Sequence, residues 1–303
     1  NENSVMMGVL PFFHVYGLSV CLNIALSRGC TLVMLPRFKA KAVIKAINKY
    51  RPTIFPAVPR MFAALIKEGE AKCQGKFDSV RLCVSGAGAL DPLTKSEFEN
   101  FTGCKIIEGY GLSEASPIVS INPPNREKQG SLGLPVPDTE VKIVEGELWV
   151  RGPQVMASYW EKPIETHQIL RHDGWLMTGD MVRADEDGYL WMEDRKKDLI
   201  KKCGENIYPN EIEKVLLQYP RIHEAAVVGV PDRGDERIVA FVTLTIIPEG
   251  RLEEFDSRDV IKFCGKHLPT IKTPDCVIAV NELPKTILGK VLKKELRKMY
   301  IEK

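Results

Sequence analysis

From residue 5 to residue 108 the chain alternates short apolar runs with stretches whose apolar residues recur every three or four positions. Residues 5–10, 31–35, 53–55, 80–84 and 105–108 read as strands, and 17–26, 40–50, 58–66 and 92–101 as helices. Val43, Ile44 and Ile47 give the second helix its apolar stripe, and Pro59 opens the third. Strand–helix alternation with short connections needs both faces of a sheet covered, which predicts an α/β layered domain with parallel pairing. From about residue 130 the pattern becomes short β-like runs at 141–144, 147–150, 176–182 and 189–192, separated by Gly, Pro and Asp turns. A third texture follows the charged stretch 194–198. It comprises a helix at 210–217, strands at 224–229 and 238–246, a helix at 257–266 and a last helix from Val291. The expectation is an α/β and α+β chain. Its first domain spans 1–196 (α/β to about 129, β-rich over 130–196), and a smaller α+β domain spans 197–303.

Composition narrows the function classes. With 44% hydrophobic and 27% charged residues and a net charge of +2, the 303 residues are those of an ordinary globular protein with no broad attraction for nucleic acid. None of the eight cysteines forms a CxxC pair, and no His cluster adjoins them, so neither a zinc site nor a disulfide scaffold is expected. No apolar run reaches the ~18 residues of a membrane span, and no secretory leader is evident. A cytoplasmic location is the expectation. The chain starts on a buried-looking strand, as a fragment would.

Several segments have the residue types for chemistry. Glu108-Gly109-Tyr110-Gly111-Leu112-Ser113-Glu114 follows a predicted strand. Its glycines allow close backbone approach, its ring offers a stacking face, and Ser113 and Glu114 suit a phosphate oxygen and a hard cation. The same run is equally a turn with a buried Tyr and a capping Ser. Ser85-Gly86-Ala87-Gly88 is a second strand-to-helix turn, with Asp91 where a dinucleotide fingerprint needs Gly. Asp180, after Thr178-Gly179, suits a ribose diol if buried, or is a turn carboxylate. Lys290 ends a Gly-Lys loop that could carry a cation to an anionic transition state, or lies on the surface. His14 lies among aromatics, where a satisfied core histidine is the commoner outcome.

Taken in order, PFFHVYG, EGYGLSE, GELWVRGPQVMASYW, WLMTGD, DRKKDLIKKCGENIYPNEIE and LPKTILGK resemble the adenylate-forming superfamily of acyl-CoA synthetases, luciferases and peptide-synthetase adenylation domains. The resemblance runs over nearly the whole chain and is greatest to fatty acyl-CoA synthetases. It implies ATP, Mg²⁺ and CoA, with a fatty (medium- or long-chain) acid as substrate. By motif match, Tyr110 would stack on adenine, with Gly86, Ala87, Glu108, Gly109, Gly111 and Met192 lining the nucleotide. Ser113 would meet the α-phosphate, Glu114 would hold Mg²⁺, and Asp180 and Arg195 would bind the ribose. Lys290 would bridge carboxylate and α-phosphate, and His14 would gate the acyl pocket. The C-terminal domain would turn about Lys197, withdrawing Lys290 and presenting Cys203 and Gly204 to the pantetheine arm. A side chain at Gly204 would narrow the thiol path.

Two departures accompany the match. Asp194 stands where the family usually has Gly, although Asp is not unusual there among acyl-CoA synthetases, and no residues match the Ser/Thr/Gly-rich phosphate loop expected upstream of PFFHVYG. The chain alone is therefore expected to adenylate poorly. Alternatives are an aryl-CoA ligase, a carrier-protein acyl-AMP ligase, or a non-catalytic nucleotide- or acyl-binding module. The basic tail (Lys290, Lys293, Lys294, Arg297, Lys298) is a solvated helix face, or a contact for a membrane surface.

Overall fold

The computed structural model describes residues 3–70, 77–245, 255–286 and 289–302. They divide into two units, Asn1–Thr178 with Val182–Met192, and Gly179–Met181 with Glu193–Lys303. Cys73, Ile246, Ile287 and Leu288 lie outside the described residues.

In the first unit, seven strands form one sheet in the order β2-β1-β3-β4-β5-β6-β7. These are β1 Val5–Gly8, β2 Thr31–Met34, β3 Ile54–Ala57, β4 Leu82–Ser85, β5 Ile106–Gly111, β6 Ile118–Ile121 and β7 Leu134–Pro135. The pairs from β2 to β5 are parallel, while β5/β6 and β6/β7 are antiparallel. Parallel strands need crossovers, and helices Ala40–Tyr50, Pro59–Glu70 and Pro92–Thr102 supply them. The expected alternation is thus present. The first helix is a π-turn, Gly17–Asn23, running into Ile24–Ser27, and sequence periodicity could not separate the two.

Local chemistry sets the helix ends. Asp91 caps Pro92–Thr102 by accepting the Thr94 N–H at 2.8 Å, Pro92 occupies the first turn, and Gly103 leaves at φ 71°. Against the sheet these helices bury an edge-to-face run of rings. Phe62 lies 5.9 Å from Phe55 and 4.9 Å from Phe98, and Phe98 lies 5.7 Å from Phe77. Such pairs add specific geometry to area burial.

A second sheet, β11-β10-β9-β8, comprises β8 Glu140–Val144, β9 Glu147–Arg151, β10 Leu176–Ala184 and β11 Leu190–Arg195. Ala115, Val119, Leu148, Val150, Leu176, Val182 and Leu190 form its core. The helix Pro163–Ile169 between β9 and β10 escaped the sequence reading. It is short and mostly polar, with Ile164 exposed.

The second unit holds a hairpin, β12 Ile200–Lys202 and β13 Glu205–Ile207, and a sheet of β14 Ile222–Asp232, β15 Asp235–Leu244 and β16 Cys276–Ala279. β14/β15 is antiparallel and β15/β16 parallel. Alternate residues of β14 face opposite cores. Val227 joins Ile212, Leu216, Val260 and Cys264, whereas Ala226 and Val228 join Phe241, Leu283 and Leu296. Helices Pro209–Leu216 and Ser257–His267 supply residues to the first core, and Lys293–Ile301 to the second. Burial on both faces explains the unbroken apolar run from Ala225 to Val230 within β14.

The basic tail is largely paired. Lys293 meets Glu213 at 2.8 Å, Arg297 meets Asp198 at 3.3 Å, and Lys298 meets Glu295 at 3.5 Å. Among the described residues no helix is long and apolar enough to cross a membrane.

Phe62 is fully buried and touches two rings. Phe62→Ala should lower unfolding free energy by about 3–5 kcal/mol in a urea titration, through lost transfer energy and the cavity left behind.

Candidate functional site

β5 runs on through Gly111, so the Gly-Tyr-Gly segment is strand and not a turn. A Cβ at Gly111 would lie 1.8 Å from the Pro117 carbonyl oxygen, so the returning chain already requires a glycine there. Gly109 has ordinary room. Tyr110 and Met192 pack against the same apolar core of the second sheet. Burial raises the Glu108 carboxyl above its usual value, while hydrogen bonds to Gly130 and Leu90 pull the other way.

Beyond the strand, Ser113 and Glu114 lie in a 3-10 turn, Ser113–Ala115, with Ser113 exposed and Glu114 half-buried. Segment 156–159 grips Glu114 twice. The Met156 N–H donates to its carbonyl at 2.8 Å, and the Tyr159 hydroxyl donates to Oε1 at 2.5 Å. Burial and this carboxylate push the Tyr159 phenol up to about 12, keeping it a donor. Tyr159 is in turn seated by its own N–H on the Thr166 hydroxyl at 3.0 Å. Among the described residues no three His, Cys, Asp or Glu side chains cluster as a metal cage. A lone carboxylate fits Mg²⁺, which keeps water and phosphate oxygens as its other ligands.

At the end of β4, Ala87 adopts φ 65°, a conformation that disfavours a Cβ and clusters at functional sites. A Cβ on Gly86 would lie 3.1 Å from the Tyr16 ring. Tyr16 is anchored by donating its hydroxyl to the Val84 carbonyl at 2.8 Å. Its N–H donates to His14 Nδ1 at 3.2 Å, which makes that nitrogen an acceptor, and burial lowers the His14 pKa. His14 and the Gly86-Ala87 turn are therefore joined through Tyr16.

In the second unit, Asp180 is 3% exposed and pairs with Arg195 Nε at 3.2 Å. Asp194, also buried, accepts the Arg195 N–H with Oδ1 and the Asn210 N–H with Oδ2, both at 2.8 Å. The Asn210 side chain donates to the Glu193 carbonyl at 2.9 Å. Lys197 is exposed in the 3-10 turn Lys196–Asp198.

The Lys290 N–H donates to the Thr286 hydroxyl at 3.1 Å. Lys290 keeps solvent access, yet surrounding protein crowds its ammonium. Burial, seconded by the charges of Arg195 and Lys197, pulls its pKa down to about 8 against the opposing carboxylates of Asp180 and Asp198.

Cys203 and Gly204 form the two-residue turn of the β12–β13 hairpin, at φ 52° and 79°. Paired positive φ values are what such a turn demands. A Cβ on Gly204 would meet nothing within 4 Å, and the turn's positive φ alone favours glycine here. The exposed Cys203 donates its N–H to Asp235 at 2.9 Å.

The structure thus brings together Asp180, Arg195 and the charge of Lys290, and separately His14 with Gly86. Tyr16, Tyr159 and Asn210 are the contributors that the sequence reading passed over. Each lies inside a recognised motif, but only its tertiary partner distinguishes it from its neighbours.

The AMP-binding enzyme family matches residues 1–160, and the AMP-binding enzyme C-terminal domain matches residues 211–290. The chain belongs to the AMP-binding enzyme family. A long-chain-fatty-acid–CoA ligase of Bacillus subtilis (strain 168) is 41% identical over 306 residues, covering 96% of this chain and 53% of that protein. The enzyme of the same description from Yersinia pestis is 37% identical over 97% of this chain and 53% of its own. The chain therefore spans about half the length of these relatives. Among solved structures, ATP-bound MatB from Rhodopseudomonas palustris superposes with TM-score 0.89 at 30% identity, over 99% of this chain and 61% of that one. The O-succinylbenzoate Coenzyme A synthetase MenE from Bacillus subtilis, with ATP and magnesium ion, gives 0.84 at 30% identity over 98% and 62%.

The Lys290 ammonium should be charged below pH 8 and lose its proton as pH rises through about 8. Acylation by a small anhydride, read by mass spectrometry, should therefore reach half its maximal rate near pH 8 at Lys290. Ordinary surface lysines should do so near ~10.4.

Proposed function

We propose that this chain is the C-terminal part of an AMP-forming acid–thiol ligase that activates a fatty carboxylate and passes the acyl group to CoA. In the first half-reaction the carboxylate oxygen attacks the α-phosphorus of ATP, the bond to pyrophosphate breaks, and acyl-adenylate forms. In the second, the CoA thiol, its proton lost, attacks the acyl carbonyl and AMP leaves.

Residue roles follow the family resemblance. Tyr110 supplies the adenine stacking face, with Gly86, Ala87, Glu108, Gly109, Gly111 and Met192 around the nucleotide. Asp180 and Arg195 take the ribose hydroxyls, and Ser113 the α-phosphate. Glu114 holds Mg²⁺, with Tyr159 fixing one of its carboxylate oxygens. Bound there, Mg²⁺ neutralises phosphate charge. Lys290 places a cation where charge builds on the α-phosphate oxygens, which strengthens transition-state binding over ground-state binding. His14 gates the acyl pocket. Lys197 is the pivot about which the C-terminal residues turn, so that the Cys203-Gly204 turn serves the CoA half.

The observation that carries the reading is the buried Asp180 carboxylate, paired with Arg195 at 3.2 Å and within electrostatic reach of Lys290. One carboxylate and two cations suit a ligand with hydroxyls at one end and a phosphate at the other. The 37–41% identity to long-chain-fatty-acid–CoA ligases supports the fatty substrate class. Aromatic carboxylates are the second class, favoured by 35% identity to a 4-coumarate–CoA ligase-like protein of Arabidopsis thaliana.

Calorimetry on the 303-residue chain should detect AMP binding, and Asp180→Ala should weaken it at least about tenfold, or ~1.4 kcal/mol. Absence of AMP binding would sink the reading. Pyrophosphate–ATP exchange by the chain alone should stay near background, since none of its residues match the phosphate loop. Robust exchange would overturn that expectation.

A further inference from the structure

Asp194 is the residue by which this sequence departs from the glycine usual in its motif, and none of the roles above uses it. Its carboxylate is buried and spans two segments. Oδ1 takes the N–H of Arg195, and Oδ2 takes the N–H of Asn210, both at 2.8 Å. Asn210 answers with its side chain, donating to the Glu193 carbonyl at 2.9 Å. Two bonds therefore join positions 193–194 to position 210, and Lys197 lies between them in the chain.

A backbone rotation at Lys197 sweeps residue 210 relative to residue 194, so neither bond survives it. Parting them would leave a buried carboxylate holding only the Arg195 N–H. It would also strip an acceptor from the first turn of helix Pro209–Leu216, whose N-cap Tyr208 makes no side-chain cap of its own. Beyond the pivot, the chain is braced as one body by Arg297–Asp198 at 3.3 Å and Lys293–Glu213 at 2.8 Å. The points that must give are those that cross Lys197.

We propose that Asp194 and Asn210 form a latch across Lys197 that must open before the C-terminal residues can turn. Asp194 is a positioning residue, holding Arg195 beside Asp180 while the latch is shut. The proposal rests on the pivot reading given above. It also locates a control point that a glycine at this position could not provide, since glycine has no side-chain acceptor.

Limited trypsin digestion of the full chain tests it, with fragments quantified by mass spectrometry. Cleavage after Lys196 and Lys197 is compared with cleavage after Arg126, a turn residue in the first unit. Asp194→Asn should accelerate the pivot cuts about tenfold or more relative to Arg126, because an amide presents a donor to one of the two N–H groups. Asn210→Ala, which removes only the Glu193 bond, should accelerate them less, with an unchanged thermal midpoint. If Asp194→Asn fails to fold, Asn210→Ala decides. Equal acceleration at all sites, or none at the pivot, overturns the latch. AMP calorimetry on the same samples keeps the two readings apart. Selective pivot cleavage without AMP binding leaves the latch standing and sinks the nucleotide assignment. AMP binding without selective cleavage does the reverse.

Discussion

Two carboxylates removed from water, Asp180 and Asp194, set the terms for the segment around Arg195. A buried carboxylate persists as an anion only where donors or cations surround it. Here the Arg195 guanidinium answers Asp180 and the Arg195 backbone answers Asp194. One residue is thus held from both its ends. The second donor to Asp194 is the amide of Asn210, so the start of helix Pro209–Leu216 is fixed by the same charge. Lys290 feels this arrangement at longer range, through the charges of Arg195 and Asp180, and its ammonium is easier to deprotonate than an ordinary lysine's.

The first unit arranges its polar groups by a different device. There the sheet is apolar on its helix-covered parts, and the motif residues proposed for chemistry lie at the ends of strands or just beyond them. β4 ends at Ser85, before Gly86 and Ala87, and β5 ends at Gly111, before Ser113 and Glu114. Ligand sites outside the carboxyl ends of parallel strands are the general expectation for such sheets. Tyr16 and Tyr159 stand behind these turns, one packed against Gly86 and the other bonded to Glu114. Each hydroxyl donates to a well-defined acceptor, the Val84 carbonyl or the Glu114 carboxylate, which ties its turn to the neighbouring chain.

Much of the fold is legible in the sequence. The α/β alternation, the shift to short β-runs after residue 130 and the helix Ala40–Tyr50 follow from apolar periodicity, which burial dictates directly. What escaped has a physical cause in each case. Pro163–Ile169 has little apolar periodicity to detect. β16, Cys276–Ala279, is four residues long, and its parallel partner β15 is distant in sequence. The π-turn at Gly17–Asn23 shares its composition with an α-helix. Gly111 and Gly204 stand out in the sequence, but the contact with Pro117 and the hairpin turn that call for them are tertiary, because a glycine does not disclose which atom its missing Cβ would have struck.

The sequence by itself determined the alternation of strands and helices, the motif order and hence the family, along with the types of side chain offered for chemistry. These depend on local periodicity and on residue identity. Only the tertiary structure decided that Asp194 reaches Asn210, that Tyr159 reaches Glu114, and that Lys290 lies in the field of Arg195 and Asp180. Those pairings join residues 16, 45 and more than 90 positions apart. Their strength comes from the burial that packing creates around them, which no single stretch of chain encodes.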